Sequence, residues 1–105
     1  MARTRDFATV IRRQLDGNPK LRAAVEKEQL NGAIATLIYD ARTEAKLTQK
    51  ELAELVGTQQ SVIARLEDAD YGGHSLSMLA RIAAALGRRL TVSFAPVGPQ
   101  RRKRL

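Results

Sequence analysis

The 105-residue chain reads as an all-α protein, a small helical bundle with two helices ahead of it and one β-strand behind it. Three observations carry that reading. Apolar residues recur at helical spacing from Phe7 to Leu86. Runs of Gly, Asn and Asp punctuate that period at Asp16-Gly17-Asn18, Asn31-Gly32, Gly57 and Tyr71-Gly72-Gly73-His74. Beyond Gly87 the pattern alternates instead, with Leu90, Val92 and Phe94 on one face, Arg89, Thr91 and Ser93 on the other, and an end at Pro96.

The first helix is marked by Phe7, Val10, Ile11 and Leu15, with Asp6 as a candidate cap and Asp16-Gly17-Asn18 as its end. Asn18 before Pro19 is a good start for a second helix, because proline at the first helical position gives up no needed donor. Leu21, Ala24 and Val25 form its apolar face. Glycine after asparagine in a helix interior costs roughly 1 kcal/mol, so a break or kink is expected at Asn31-Gly32. A new stripe follows in Ile34, Leu37, Ile38, Ala41 and Ala45. These two leading segments serve either as a prop for the bundle or as a docking surface for a protein partner.

The stretch Leu47 to Glu67, LTQKELAELVGTQQSVIARLE, organises the rest. Leu52, Val56, Ile63 and Leu66 are the positions to bury, and Ala53 is small where two helices must approach closely. Gly57 can take the positive φ of a tight helix exit. Thr58 is then the candidate cap of a second short helix, with Gln59, Gln60 and Ser61 in its first turn and Arg65 about one turn further on. Those four polar residues point away from the Ile63/Leu66 face. The result is a helix-turn-helix whose second helix offers the amide and guanidinium groups that read base edges in a major groove. The last bundle helix starts at the cap Ser75, runs through Leu76, Leu79, Ile82, Ala83 and Leu86, and stops at Gly87.

On its LTQ opening, ELA step, central VG and closing RLE, the chain resembles the DNA-binding core of phage repressors, the Cro/C1 or XRE family, from about Ala33 to Leu86. The resemblance implies double-stranded DNA, a palindromic operator, as a partner. Carried position by position, it puts Gln60, Ser61 and Arg65 at base edges with Gln59 beside them, and Gln49 on a phosphate. It also implies a partly buried ion pair between Arg42 and Glu67 that ties the helices together. Ser61 departs from the double glutamine of some phage repressors, and its shorter reach calls for a water or backbone contact there.

The terminal strand leaves its backbone groups unpaired, so its partner comes most economically from a second copy. Leu90, Val92 and Phe94 are the expected dimerisation residues; the alternative is an extended tail lying on its own bundle. The chain thus divides into an N-terminal helical extension (1–32), the helix-turn-helix domain (33–87), a dimerisation strand (88–97) and a basic tail (98–105).

The net charge of +7 sits at the ends. Residues 1–32 carry seven bases against four acids, 47–68 two against four, and 88–105 six bases with no acid, while the stretches between balance. Such ends attract phosphate without regard to sequence; the tail's Arg101, Arg102, Lys103 and Arg104 serve equally well as a solvated, solubilising end. The chain has no cysteine, which excludes disulfides and thiolate metal sites and suits a cytoplasmic location. No apolar run is long enough for a membrane span, and the N-terminus lacks a signal peptide's apolar core. The lone His74 lies in a glycine-rich loop, no carboxylate is paired with a nucleophile, and phosphate-cradling glycine patterns are absent. No enzyme, cofactor or metal is expected.

The layout of a repressor-like core with two helices before it and a strand and basic tail after it resembles the HigA-type antitoxins of type II toxin-antitoxin modules. That resemblance implies neutralisation of a cognate toxin, a RelE/HigB-like mRNA-cleaving ribonuclease, and repression of the shared operon as a DNA-bound homodimer or complex. A freestanding XRE-family repressor and a transcription bridging factor are the competing readings.

Overall fold

A computed structural model describes the backbone of residues 2–96 and the side chains of residues 9–96; the basic tail lies outside the described residues. Five helices follow in order: α1 (Ala2–Asp16), α2 (Pro19–Glu44), α3 (Gln49–Val56), α4 (Gln60–Leu66) and α5 (Leu76–Ala85). Since α1 already begins at Ala2, Asp6 lies inside the helix and does not cap it. The α1–α2 corner is built as its residues dictate, with Asn18 Oδ1 accepting from the Leu21 N–H at 3.0 Å and Pro19 in the first turn. Arg22 and Asp16 pair across that corner on the surface.

The break expected at Asn31-Gly32 does not occur, and one 26-residue helix replaces two shorter ones. Leu21 and Ile34 are 13 residues apart, about 220° round a helix that turns 100° per residue. The apolar stripe therefore changes side midway, which in sequence looks like a new element. In space the second half packs on the bundle through Ala35, Ile38 and Ala41, whereas the first half meets α1 but stays exposed from Pro19 to Leu30 apart from half-buried Val25. The roughly 1 kcal/mol penalty of an interior glycine is small beside that burial.

α3 opens on a reciprocal capping box. Thr48 Oγ1 accepts from the Glu51 N–H at 3.0 Å, and Glu51 Oε1 accepts from the Thr48 N–H at 2.8 Å. It ends at Gly57, whose φ of 85° is left-handed; a Cβ there would meet nothing closer than Arg81 Nη2 at 3.7 Å, so conformation and not crowding demands glycine. Arg81 of α5 donates to the Val56 carbonyl at 2.8 Å and closes the same helix end. The cap of α4 is Gln59, not Thr58, so the helix starts one residue later than expected and without a side-chain cap. Ser75 does cap α5, accepting from the Met78 N–H at 3.1 Å. Ile38, Leu52, Ala53, Val56, Ile63, Leu66, Leu79 and Ile82 form one core, with Leu52 and Ile63 wholly enclosed.

The strand expected over Leu90–Phe94 is absent; among the described residues the chain contains no β-strand at all. A strand exists only through a ladder to a neighbour, and among the described residues no second strand offers one. Residues 88–93 instead pass beside α2 and α5 without regular secondary structure, with Leu90 half-buried against the core and Val92 and Phe94 exposed at 70% and 102%. No helix among the described residues is long and apolar enough to cross a membrane.

Candidate nucleic-acid interface

The enclosed Leu52 and Ile63 and the close approach at Ala53 fix the angle between α3 and α4. With that stripe buried, Gln59, Gln60, Ser61 and Arg65 are left exposed on one side of α4, so the structure brings all four onto a single accessible face. The helix is only 7 residues long. Gln49, half-buried at the first position of α3, sits beside that face.

Beneath it lies a polar cluster. Arg42, on the buried side of α2, forks onto Glu67 at the end of α4: Nε donates to Oε2 at 2.6 Å and Nη2 to Oε1 at 3.0 Å. Its third nitrogen, Nη1, donates to the Leu47 carbonyl at 2.8 Å, so one guanidinium joins α2, the α2–α3 turn and α4. The two side chains are only 11% and 5% exposed. The hydrogen bond to Glu67 raises the Arg42 pKa above its ordinary value, outweighing the burial that works against the charge. Tyr39 stands over the same guanidinium, 5.3 Å from ring centre to Cζ.

The pair does not end at Glu67. Gln49 Nε2 also donates to Glu67 Oε1, at 3.0 Å, and Gln60 Nε2 donates to Gln49 Oε1 at 3.3 Å. Four side chains from three helices and the cap of α4 thus run in a line from the interior to the exposed face. Sequence spacing does not reveal this line, since Gln49 and Glu67 are 18 residues apart and meet only once α3 and α4 have packed.

His74, read in sequence as a loop residue, has a structural job. Its Nε2 donates to the Leu66 carbonyl at 2.7 Å, tying the loop to the end of α4, and Tyr71 meets its ring edge-on at 5.2 Å. Leu90 and Val92 line an apolar groove together with Leu30, Ile34, Leu37, Leu76 and Leu79, and Phe94 beyond them is fully exposed. Among the described residues no group of three or more His, Cys, Asp or Glu side chains is arranged to hold a metal ion.

Residues 38–92 match the sequence model of the helix-turn-helix family, which takes in α3, α4, α5 and the end of α2. The chain belongs to the helix-turn-helix family, Cro/C1 type. This helix-turn-helix chain is also 51% identical over 53 residues to a Methanothermobacter thermautotrophicus (strain Delta H) protein described as an uncharacterised HTH-type transcriptional regulator, covering 50% of this chain and 75% of that protein. Among solved structures it is similar to the crystal structure of FeII HppE, with a TM-score of 0.52 and 32% identity over 56% of this chain. The helix-turn-helix chain spans 31% of that chain's length, and the iron named there is that protein's.

Proposed function

We propose that the protein is a transcriptional regulator that binds a specific double-stranded DNA operator. The observation that carries this reading is the exposed polar face of α4, whose orientation is held from beneath by the buried Arg42–Glu67 pair. On this reading Gln60, Ser61 and Arg65 contact base edges, Gln59 lies beside them, and Gln49 donates its remaining N–H to a phosphate. A helix-turn-helix inserts its second helix in the major groove with the N-terminal residues at the bases, which is the end of α4 where these side chains stand. The motif itself carries more acids than bases, so sequence-independent attraction to phosphate falls to the basic ends of the chain.

The working unit is a homodimer, because a 7-residue reading helix spans too few base pairs for useful selectivity. The unpaired segment Leu90–Phe94, alternating in pattern and lying beside an apolar groove, supports antiparallel pairing with a second copy. Burying Phe94 and the exposed parts of Leu30, Leu37, Leu76 and Val92 would remove on the order of 500 Å² per copy, a large part of the ~800 Å² a partner contributes to an ordinary stable interface. Such a pair would address half-sites about 34–36 Å apart on a palindrome.

A finer reading, an antitoxin that neutralises a RelE/HigB-like toxin and represses their shared operon, draws support from α1 and the first half of α2. These lie outside the family match and expose Val10, Ile11, Leu21 and Leu30. Those apolar side chains lie apart from the polar face of α4 in sequence and offer a protein partner a surface to cover. Selection of binding sites from random DNA tests the main reading: recovery of one palindromic sequence supports it, and uniform weak binding to all sequences overturns it. Co-purification separates the finer readings, since the antitoxin brings down a small basic ribonuclease, a bridging factor a polymerase-associated protein, and a freestanding repressor neither.

A further inference from the structure

We infer that Asn31 and Gly72 form a latch across a joint in α2, coupling the N-terminal arm, α1 with the first half of α2, to the reading helix. This rests on the reading of α4 as the DNA-contacting helix and adds to it a route by which a protein seated on the arm alters DNA binding. The joint is Gly32. Inside a helix, glycine shifts its turn toward the open form by about fivefold relative to alanine. Nothing among the described residues calls for glycine there, since Gly32 has no left-handed φ and a Cβ on it would meet nothing within 4 Å. Gly57 differs, its φ of 85° excluding most other residues. Gly32 therefore softens α2 at one place and relieves no crowding. Ahead of it, Pro19 to Leu30 are exposed apart from half-buried Val25; behind it, Ala35, Ile38 and Ala41 are buried in the bundle. A helix anchored at one end, open to water at the other and softened between them opens at the soft turn.

One contact holds that turn to the rest of the protein. Asn31 shares a side of α2 with the buried Ala35 and Ile38, at i, i+4 and i+7, and its amide reaches Gly72 in the loop behind α4. A Cβ on Gly72 would lie 2.8 Å from Asn31 Nδ2, closer than real contacts come, so glycine at 72 is what lets the two touch. The loop itself is built, not slack. Tyr71 packs on the core and its Oη donates to the Gly73 carbonyl at 3.2 Å. His74, whose Nδ1 is buried without a partner, is held by the Tyr71 ring and by the hydrogen bond from Nε2 to the carbonyl of Leu66, the last residue of α4. Arm, Asn31, loop and reading helix are thus joined by consecutive contacts. A joint that opens at Gly32 withdraws Asn31 from the loop that fixes the end of α4. By reciprocity, DNA that steadies α4 and its loop also closes the joint.

The test is amide hydrogen exchange of the full chain and its variants, free and bound to the DNA sequence recovered by site selection. In the native chain that DNA should slow exchange in α4 and also at the joint, residues 29–34, the latter by at least about fivefold, the lower end of ordinary coupling between sites. Asn31→Ala cuts the latch and leaves every side chain of α4 in place. It should keep the slowing in α4 and lose it at 29–34. Gly72→Ala, which drives a Cβ into Asn31, should do the same. The readout is the difference that DNA makes within each variant, so the higher helix propensity of alanine does not enter it. Gly32→Ala should slow exchange at 29–34 in the free chain by about fivefold. If DNA slows α4 in the native chain and leaves 29–34 unchanged, or if Asn31→Ala keeps the slowing at the joint, there is no latch and the inference falls with the DNA-contacting role intact. If no DNA slows exchange in α4 itself, the underlying reading falls with the inference.

Discussion

Replacing Glu67 with alanine should be among the most damaging single changes in the chain. The substitution strands the Arg42 guanidinium, 11% exposed, with its Nε and Nη2 protons unpaired, and it releases Gln49 as well. Two unit charges about 4 Å apart attract by about 4 kcal/mol at an effective dielectric of about 20. Breaking a buried pair by removing one partner costs about 3–5 kcal/mol. The near-complete burial of both side chains means that solvent screening reduces this little. A domain of this size is stabilised by about 5–15 kcal/mol in all, and each kcal/mol moves the melting temperature by about 4–8 °C. Urea titration of helical circular dichroism should then show Glu67→Ala losing about 3–5 kcal/mol and melting at least about 12 °C lower. The double variant Arg42→Met/Glu67→Leu, which removes both charges and keeps the volume, should recover most of that loss. A loss below about 1 kcal/mol, the size expected of an exposed pair, or a double variant as unstable as the single one, would refute the reasoning.

Three further outcomes are expected. Arg65→Ala and Gln60→Ala should each weaken operator binding by about 1–3 kcal/mol and relax base preference at one position, checked by fluorescence anisotropy against single-base operator variants; unaltered affinity and preference would remove them from the base-contacting set. Val92→Pro, which deletes a ladder donor, should weaken self-association in sedimentation and operator binding together while helical content stays constant, and a variant that remains dimeric and binds normally would show that the segment is not the joint. Thr48→Ala removes half of the capping box and should cost about 0.5–2 kcal/mol of stability, read by thermal melting, with no measurable loss meaning that the box is not load-sharing in solution.

Much of the fold was legible in the residues because it depends on local rules. Asn18-Pro19 and Ser75 start helices by the chemistry of their own side chains and neighbours, and Gly57 stops one because of its own left-handed φ. The alternation of Leu52, Val56, Ile63 and Leu66 with polar residues already states which face of α3 and α4 turns inward, and hence that Gln59, Gln60, Ser61 and Arg65 stay out. Three matters were decided only in the tertiary structure. α2 runs on through Asn31-Gly32 while its second half is anchored in the core by Ala35, Ile38 and Ala41, a tertiary burial that a local cost at Asn31-Gly32 cannot anticipate. The alternating segment after Gly87 forms no strand because a ladder needs a second edge, and sequence pattern specifies a face without supplying that edge. The line from Arg42 through Glu67 and Gln49 to Gln60 joins residues 11 to 25 positions apart, and hydrogen-bond polarity passes along it only when packing has brought their side chains within about 3 Å.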